Sequence, residues 1–148
     1  MTETTNGWSD GGFEHRRLRT ALATLGKGSA AGVTAGMATF VYVKQGLMTA
    51  SVDPVLLLGI TALCGVFSHL LSGTLRESIR VGMAGFFVGI VMFVGVWIAP
   101  LWAYPYSPLV RDVLLPAELG TAIVGALIVH AGAYFGGYLA AVTADAYV

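Results

Sequence analysis

The chain has 148 residues, of which 56% are hydrophobic and only 11% charged, and its mean hydropathy is +0.77. Soluble domains average about 25% charged residues, so the composition excludes a disordered segment, a nucleic-acid-binding domain and almost any water-soluble fold. Eight Lys and Arg against eight Asp and Glu give a formal net charge of zero, which removes any global steering toward acidic or basic partners.

Residues 1–27 read as a cytoplasmic tail ending in an interfacial segment. The first 12 are polar, and Phe13, Leu18, Leu22 and Leu25 then interleave with Arg16, Arg17 and Arg19 at helical spacing. That pattern predicts a short juxtamembrane amphipathic helix resting on anionic lipid. The Arg16-Arg17 pair invites a twin-arginine reading, but Arg19 and the long, repeated apolar runs that follow favour a cytoplasmic anchor over a cleavable signal.

A crossing of a ~30 Å hydrocarbon layer takes about 20 residues. Within residues 28–148, four apolar stretches reach that length, at about 28–50, 54–75, 81–102 and 117–142. They predict an all-α fold, an integral membrane four-helix bundle. Only the first stretch carries charge in its body: Lys44 follows Lys27 by 17 residues, about 25 Å along a helix, where its ammonium can snorkel to the far headgroups. Residues 97–106, interrupted by Pro100 and Pro105, read as an aromatic belt at an interface, with 108–115 lying flat beyond it.

Arg16, Arg17, Arg19, Lys27, Arg76 and Arg80 fall on one side of these spans, and only Lys44 and Arg111 on the other. The positive-inside rule then places both termini in the cytoplasm of a multi-pass cell-membrane protein. Asp53, Asp112 and Glu118 fall on the outer side.

Helices in lipid gain no hydrophobic energy by touching; they associate where small residues let backbones approach. Gly28, Gly32 and Gly36 form such a line on the first span, Gly65 lies on a narrow face of the second, Gly85 and Gly89 repeat the four-residue spacing on the third, and Gly132 and Gly136 on the fourth. Two echoes also run through the chain. Residues 36–40 (GMATF) resemble 82–86 (GMAGF), and 61–65 (TALCG) resemble 121–125 (TAIVG), with His69 and His130 continuing the second echo at a slip of one residue. They fit a duplicated two-helix hairpin related by an axis along the membrane normal.

His69 and His130 are the strongly polar ionisable groups well inside the predicted hydrocarbon, and both project from small-residue faces. Three readings stand side by side: neutral histidines bonded across helices to Ser68, Ser72, Thr61, Thr121 or a backbone carbonyl, a polar lining for a solute or proton path, and two axial ligands of a b-type haem. Haem needs its ligands at matching depth. Counted from Asp53 and Glu118, the histidines lie 16 and 12 residues in, about 6 Å apart in depth. No metal-binding helix motif, Ser/His/Asp set or intramembrane carboxylate pair is read, residues 26–29 lack the strand and glycine of a phosphate loop, and the lone Cys64 reads as packing.

The sequence therefore predicts no catalytic residue and no cofactor. It predicts a small structural or accessory membrane subunit, or a homo-oligomer, that acts by helix packing, with the bilayer and other membrane subunits as partners and no nucleic acid. The alternatives are a small-solute or ion conduit lined by His69, His130 and the glycine faces, and a haem-bearing membrane anchor.

Overall fold

The structure, a computed structural model, describes residues 10–47 and 52–147. Helix starts follow local chemistry. Asp53 accepts the Val55 N–H at 2.8 Å and Pro54 occupies the first turn of α2 (Pro54–Leu70), where a missing N–H is harmless. Thr74 caps α3 (Leu75–Ile98) by accepting the Glu77 N–H at 3.2 Å, and the Glu77 carboxylate reaches back to the Gly73 N–H at 3.2 Å, a close relative of the capping box. Pro100 opens the single turn α4 (Pro100–Ala103), and Ser107 with Pro108 opens α5 (Pro108–Gly125). A π turn, Ala126–His130, joins α5 to α6 (Ala131–Ala146) without a break.

Ahead of these, α1 spans Asp10–Val43 and is followed by a 3-10 turn at Gln45–Leu47. About 90% of the structure is helical, and no strand occurs among the described residues. Four long helical rods result, running up, down, up and down. Lys27 meets the end of α2 at Leu71 while Thr39 meets Thr61, so α1 and α2 are antiparallel. The rod α1 packs on both α3 and α2, and α2 packs on α6.

Leu75–Ala103 and Pro108–Ala146 are long and apolar enough to cross a membrane. The second helix is apolar but has 17 residues. Large apolar side chains cover the outside of the rods, including Leu109 at 76% exposure, Val55 at 75% and Val91 at 72%.

Several boundaries differ from the sequence reading. The amphipathic segment around Leu18, Leu22 and Leu25 is not a separate helix. With no proline between residues 10 and 43, α1 runs through it uninterrupted. Residues 108–115 do not form a flat segment either: they are the first turns of α5, which also carries Pro116 in its interior. The third helix starts at Leu75, and the second ends at Leu70. Residues 1–9 of the polar tail and 48–50 of the first apolar stretch lie outside the described residues.

The duplicated hairpin is not the arrangement found. Gly36 packs on Gly89, whereas its echo partner Gly82 lies against the Tyr138 ring. Gly82 and Gly89 are seven residues apart on one helix, about 10 Å in height. Thr121, the echo of Thr61, is exposed and bonds its own helix at Ala117, while Thr61 is buried at the level of His130. An axis along the helices would bring matched residues to equal height, so the echoes do not mark such a repeat.

Candidate functional site

Backbone contacts between helices set the frame. A Cβ at Gly32 would collide with the Gly85 carbonyl, one at Gly36 would lie 2.5 Å from the Gly89 carbonyl, and one at Gly28 would lie 2.9 Å from that of Val81. The three glycines thus form a continuous seam of α1 on α3. Gly65 closes a second seam, where a Cβ would strike the Tyr134 carbonyl, and Gly137 sits equally tightly on Ala62. Gly132 and Gly136 take no part in these contacts: open space lies beyond them. They line a groove of about 650 Å³ beside Gly59, Leu58 and Val129. Gly137, one position on, makes the contact between α6 and α2.

Between the seams lies a column of buried polar groups at three heights. At the innermost level, Thr39, Thr61 and His130 are each fully buried. Thr39 Oγ1 lies 3.2 Å from His130 Nδ1 and 3.3 Å from Thr61 Oγ1. The same hydroxyls have carbonyl acceptors on their own helices, Ala35 at 2.8 Å for Thr39 and Leu57 at 3.1 Å for Thr61. The His130 ring lies nearly parallel to both Phe86 and Tyr134, at centroid distances of 5.7 and 5.6 Å, and those two rings are 6.3 Å from each other, so the three form a triangle. Its Nε2 is buried with no hydrogen bond of good geometry among the described residues, although the Phe86 backbone lies near enough to act on the imidazole.

One turn along, the Tyr134 hydroxyl is 2.6 Å from Ser68 Oγ and donates to the Gly82 carbonyl at 3.2 Å. Gly85 makes room for it, since a Cβ there would overlap the phenol oxygen. A further turn on, His69 Nδ1 lies 2.8 Å from Ser78 Oγ, which lies 2.9 Å from the Tyr138 hydroxyl. His69 Nε2 faces the exposed carboxylate of Asp145 at 3.5 Å. Lys27 closes this end, donating to the Leu71 carbonyl at 2.8 Å and to Glu77 at 2.9 Å.

Above His130 the interior is aromatic. Phe93 is fully buried and forms a triangle of mutually contacting rings with Phe40 and Trp97. The Trp97 indole N–H donates to Glu118 at 2.7 Å, while the Lys44 ammonium sits 3.7 Å from the centroid of the Trp97 ring. This is the destination of the lysine that the sequence places at a far interface.

The π turn matters to this geometry. Ala122, Ala126, His130, Tyr134 and Tyr138 are all buried at steps of four. In an α-helix each such step overshoots a full turn by about 40°, and the wider π turn takes back part of that drift, keeping His130 in line with Tyr134.

Four serine and threonine partners were expected for the histidines, and none bonds a histidine directly. Thr61 reaches His130 only through Thr39, Ser68 serves Tyr134, Ser72 bonds the Ser68 carbonyl, and Thr121 bonds Ala117. The two imidazoles are not brought together either. His69 stands at the level of Tyr138, eight residues from His130 and so about 12 Å along the helix, with Tyr134 and Ser68 between. No single haem iron could take both rings in this arrangement. Cys64 is buried in the core beside Tyr134.

Sequence spacing also concealed a Ser78–His69–Asp145 chain. Its order is that of a nucleophile, a base and an orienting acid. Yet Ser78 is buried to 1% exposure, and its oxygen is already held by Tyr138. A substrate carbonyl has no approach to it. Among the described residues, no three His, Cys, Asp or Glu side chains gather as a metal site. No protein-family model matches the chain, and no curated protein or solved structure matches it either.

Proposed function

We propose that this chain is a four-span integral membrane protein, with both termini in the cytoplasm, that works through helix packing as a structural or accessory subunit or as a homo-oligomer. The observation that carries this reading is the pairing of two tight glycine seams inside with large apolar side chains outside. In water the outer surface would be an aggregation hazard; in lipid it is the ordinary state, and the seams supply the close backbone approach by which helices associate there. The six-to-two distribution of cations supports the orientation. The burial of Ser78 speaks against a nucleophilic role for that serine.

The test is extraction and sizing. The protein should stay with membranes through an alkaline carbonate wash and run in mild detergent as a defined oligomer or with a partner subunit. Release into the wash, or a monodisperse monomer that captures no partner, would overturn the reading.

One observation favours a second reading, a path for a small solute or ion: His130 keeps a buried Nε2 without a hydrogen bond of good geometry, and intramembrane ionisable groups commonly mark such paths. Flux measured in reconstituted vesicles decides between the two. A flux abolished by His130→Ala would establish the path, and its absence for every ion and solute offered would leave packing alone.

A further inference from the structure

At the end of the bundle marked by the Lys27–Glu77 pair, a groove of about 870 Å³ opens between α1 and α3. Ala21, Leu25, Met83 and Ala84 line it with apolar surface, and Thr20, Thr24 and Arg80 complete the lining. The Arg80 side chain is exposed and forms no ion pair among the described residues. Its carboxylate neighbour one turn earlier, Glu77, is held by Lys27 and the Gly73 N–H. Arg76 is also exposed and lies one turn before Arg80 on the same face of α3. One arginine without an ion pair among the described residues therefore lines an otherwise largely apolar trough, with Arg76 one turn away on the same helix, and the Thr24 hydroxyl beside it donates to the Thr20 carbonyl at 2.9 Å.

We propose that this groove binds one anionic phospholipid, its phosphate on Arg80 and its acyl chain over Leu25, Met83 and Ala84. The inference rests on the membrane reading above and names a ligand for it. Charge complementarity selects the ligand. A neutral or cationic partner would leave the arginines uncompensated, while a soluble anion would leave the trough empty. Cationic pockets between helices at the cytoplasmic face are suited to acidic headgroups, with each surface cation contributing enough to raise affinity about fivefold.

The experiment is native mass spectrometry of the full chain in non-ionic detergent, with phosphatidylglycerol or phosphatidylcholine added. The wild type should retain one phosphatidylglycerol with a preference over phosphatidylcholine of about fivefold or more. Arg80→Gln should bring the two lipids to parity, and Met83→Trp, which fills the trough and leaves the charges in place, should reduce retention of both. Arg111→Gln, at the opposite end of the rods, should change nothing. Equal retention of the two lipids by the wild type would overturn the proposal, as would a preference that survives Arg80→Gln or one that Arg111→Gln abolishes equally. A carbonate wash of the same preparation separates the two claims: release of the protein sinks the membrane reading itself, whereas retention without lipid preference sinks only the site.

Discussion

The edge of the His130 ring rests on the backbone of Gly89, where a Cβ would come within 2.5 Å of both Cε1 and Nε2. One glycine thus serves two contacts, since its carbonyl also receives Gly36 of α1. In solvent-exposed helix, Gly→Ala gains about 1 kcal/mol of propensity. At Gly89 and Gly32 that gain meets a ring and a carbonyl that cannot move independently, and overpacking of this kind costs about 1–3 kcal/mol. Gly32→Ala and Gly89→Ala should therefore lower the thermal midpoint in detergent. Gly132→Ala, facing open space, should leave the protomer unchanged or slightly more stable. A fall in oligomer mass with Gly132→Ala would instead identify that open face as a contact between copies.

Thr39 is the direct polar partner of His130. Thr39→Val keeps the shape of the side chain and removes the hydroxyl, leaving Nδ1 without that partner. Interhelical hydrogen bonds between membrane helices average about 0.6 kcal/mol, with a maximum near 1.7. The fully buried position of Thr39 puts the expected loss toward the upper end, readable by denaturant titration in mixed micelles. Tyr134→Phe, which removes contacts to both Ser68 and the Gly82 carbonyl, should cost a comparable amount. A wild-type stability for both variants would mean that the polar column is incidental to holding the helices.

Composition and the length of the apolar runs made the helical class legible, while four-residue glycine spacing marked narrow faces on the helices without saying which helix each face would meet. The polar column was harder to read. Ser78 and Tyr138 lie 60 residues apart, and a hydroxyl carries no sequence mark of which helix it will face. Four-residue spacing singles out Gly132 and Gly136, yet Gly137 makes the contact, because the spacing marks a narrow face without saying whether a neighbour lies against it. The flat reading of residues 108–115 fails because Pro108 starts α5 in its first turn and the helix then continues through Pro116.

The Ser78–His69–Asp145 chain yields a chemical prediction. A fluorophosphonate probe labels a serine only where it can reach the oxygen and a base can take its proton. With Ser78 buried and bonded to Tyr138, the folded protein should remain unlabelled, and Ser78→Ala should leave every functional readout intact while lowering stability. Asp145→Asn should be close to neutral, because its carboxylate is 76% exposed and stands 3.5 Å from the imidazole, and exposed ion pairs contribute little. Stoichiometric labelling of Ser78 would reopen the case for a hydrolase.

Trp97 couples the opposite end of the bundle through opposite charges. Its indole N–H donates to Glu118, and the Lys44 ammonium lies over its ring; the ring itself is buried to 7% exposure. Glu118→Gln retains an acceptor for the indole and should cost little. Glu118→Ala leaves a buried N–H without a partner, a loss of about 1–3 kcal/mol. Cation–π attraction adds about 0.5–1 kcal/mol at partly exposed sites, so Lys44→Met in the Glu118→Ala background should add a smaller decrement. Because Lys44 and Glu118 act on one indole, their effects should fall short of additivity in a double-mutant cycle. Strict additivity would show that Trp97 is fixed by Phe40 and Phe93 alone, with the two charges mere neighbours.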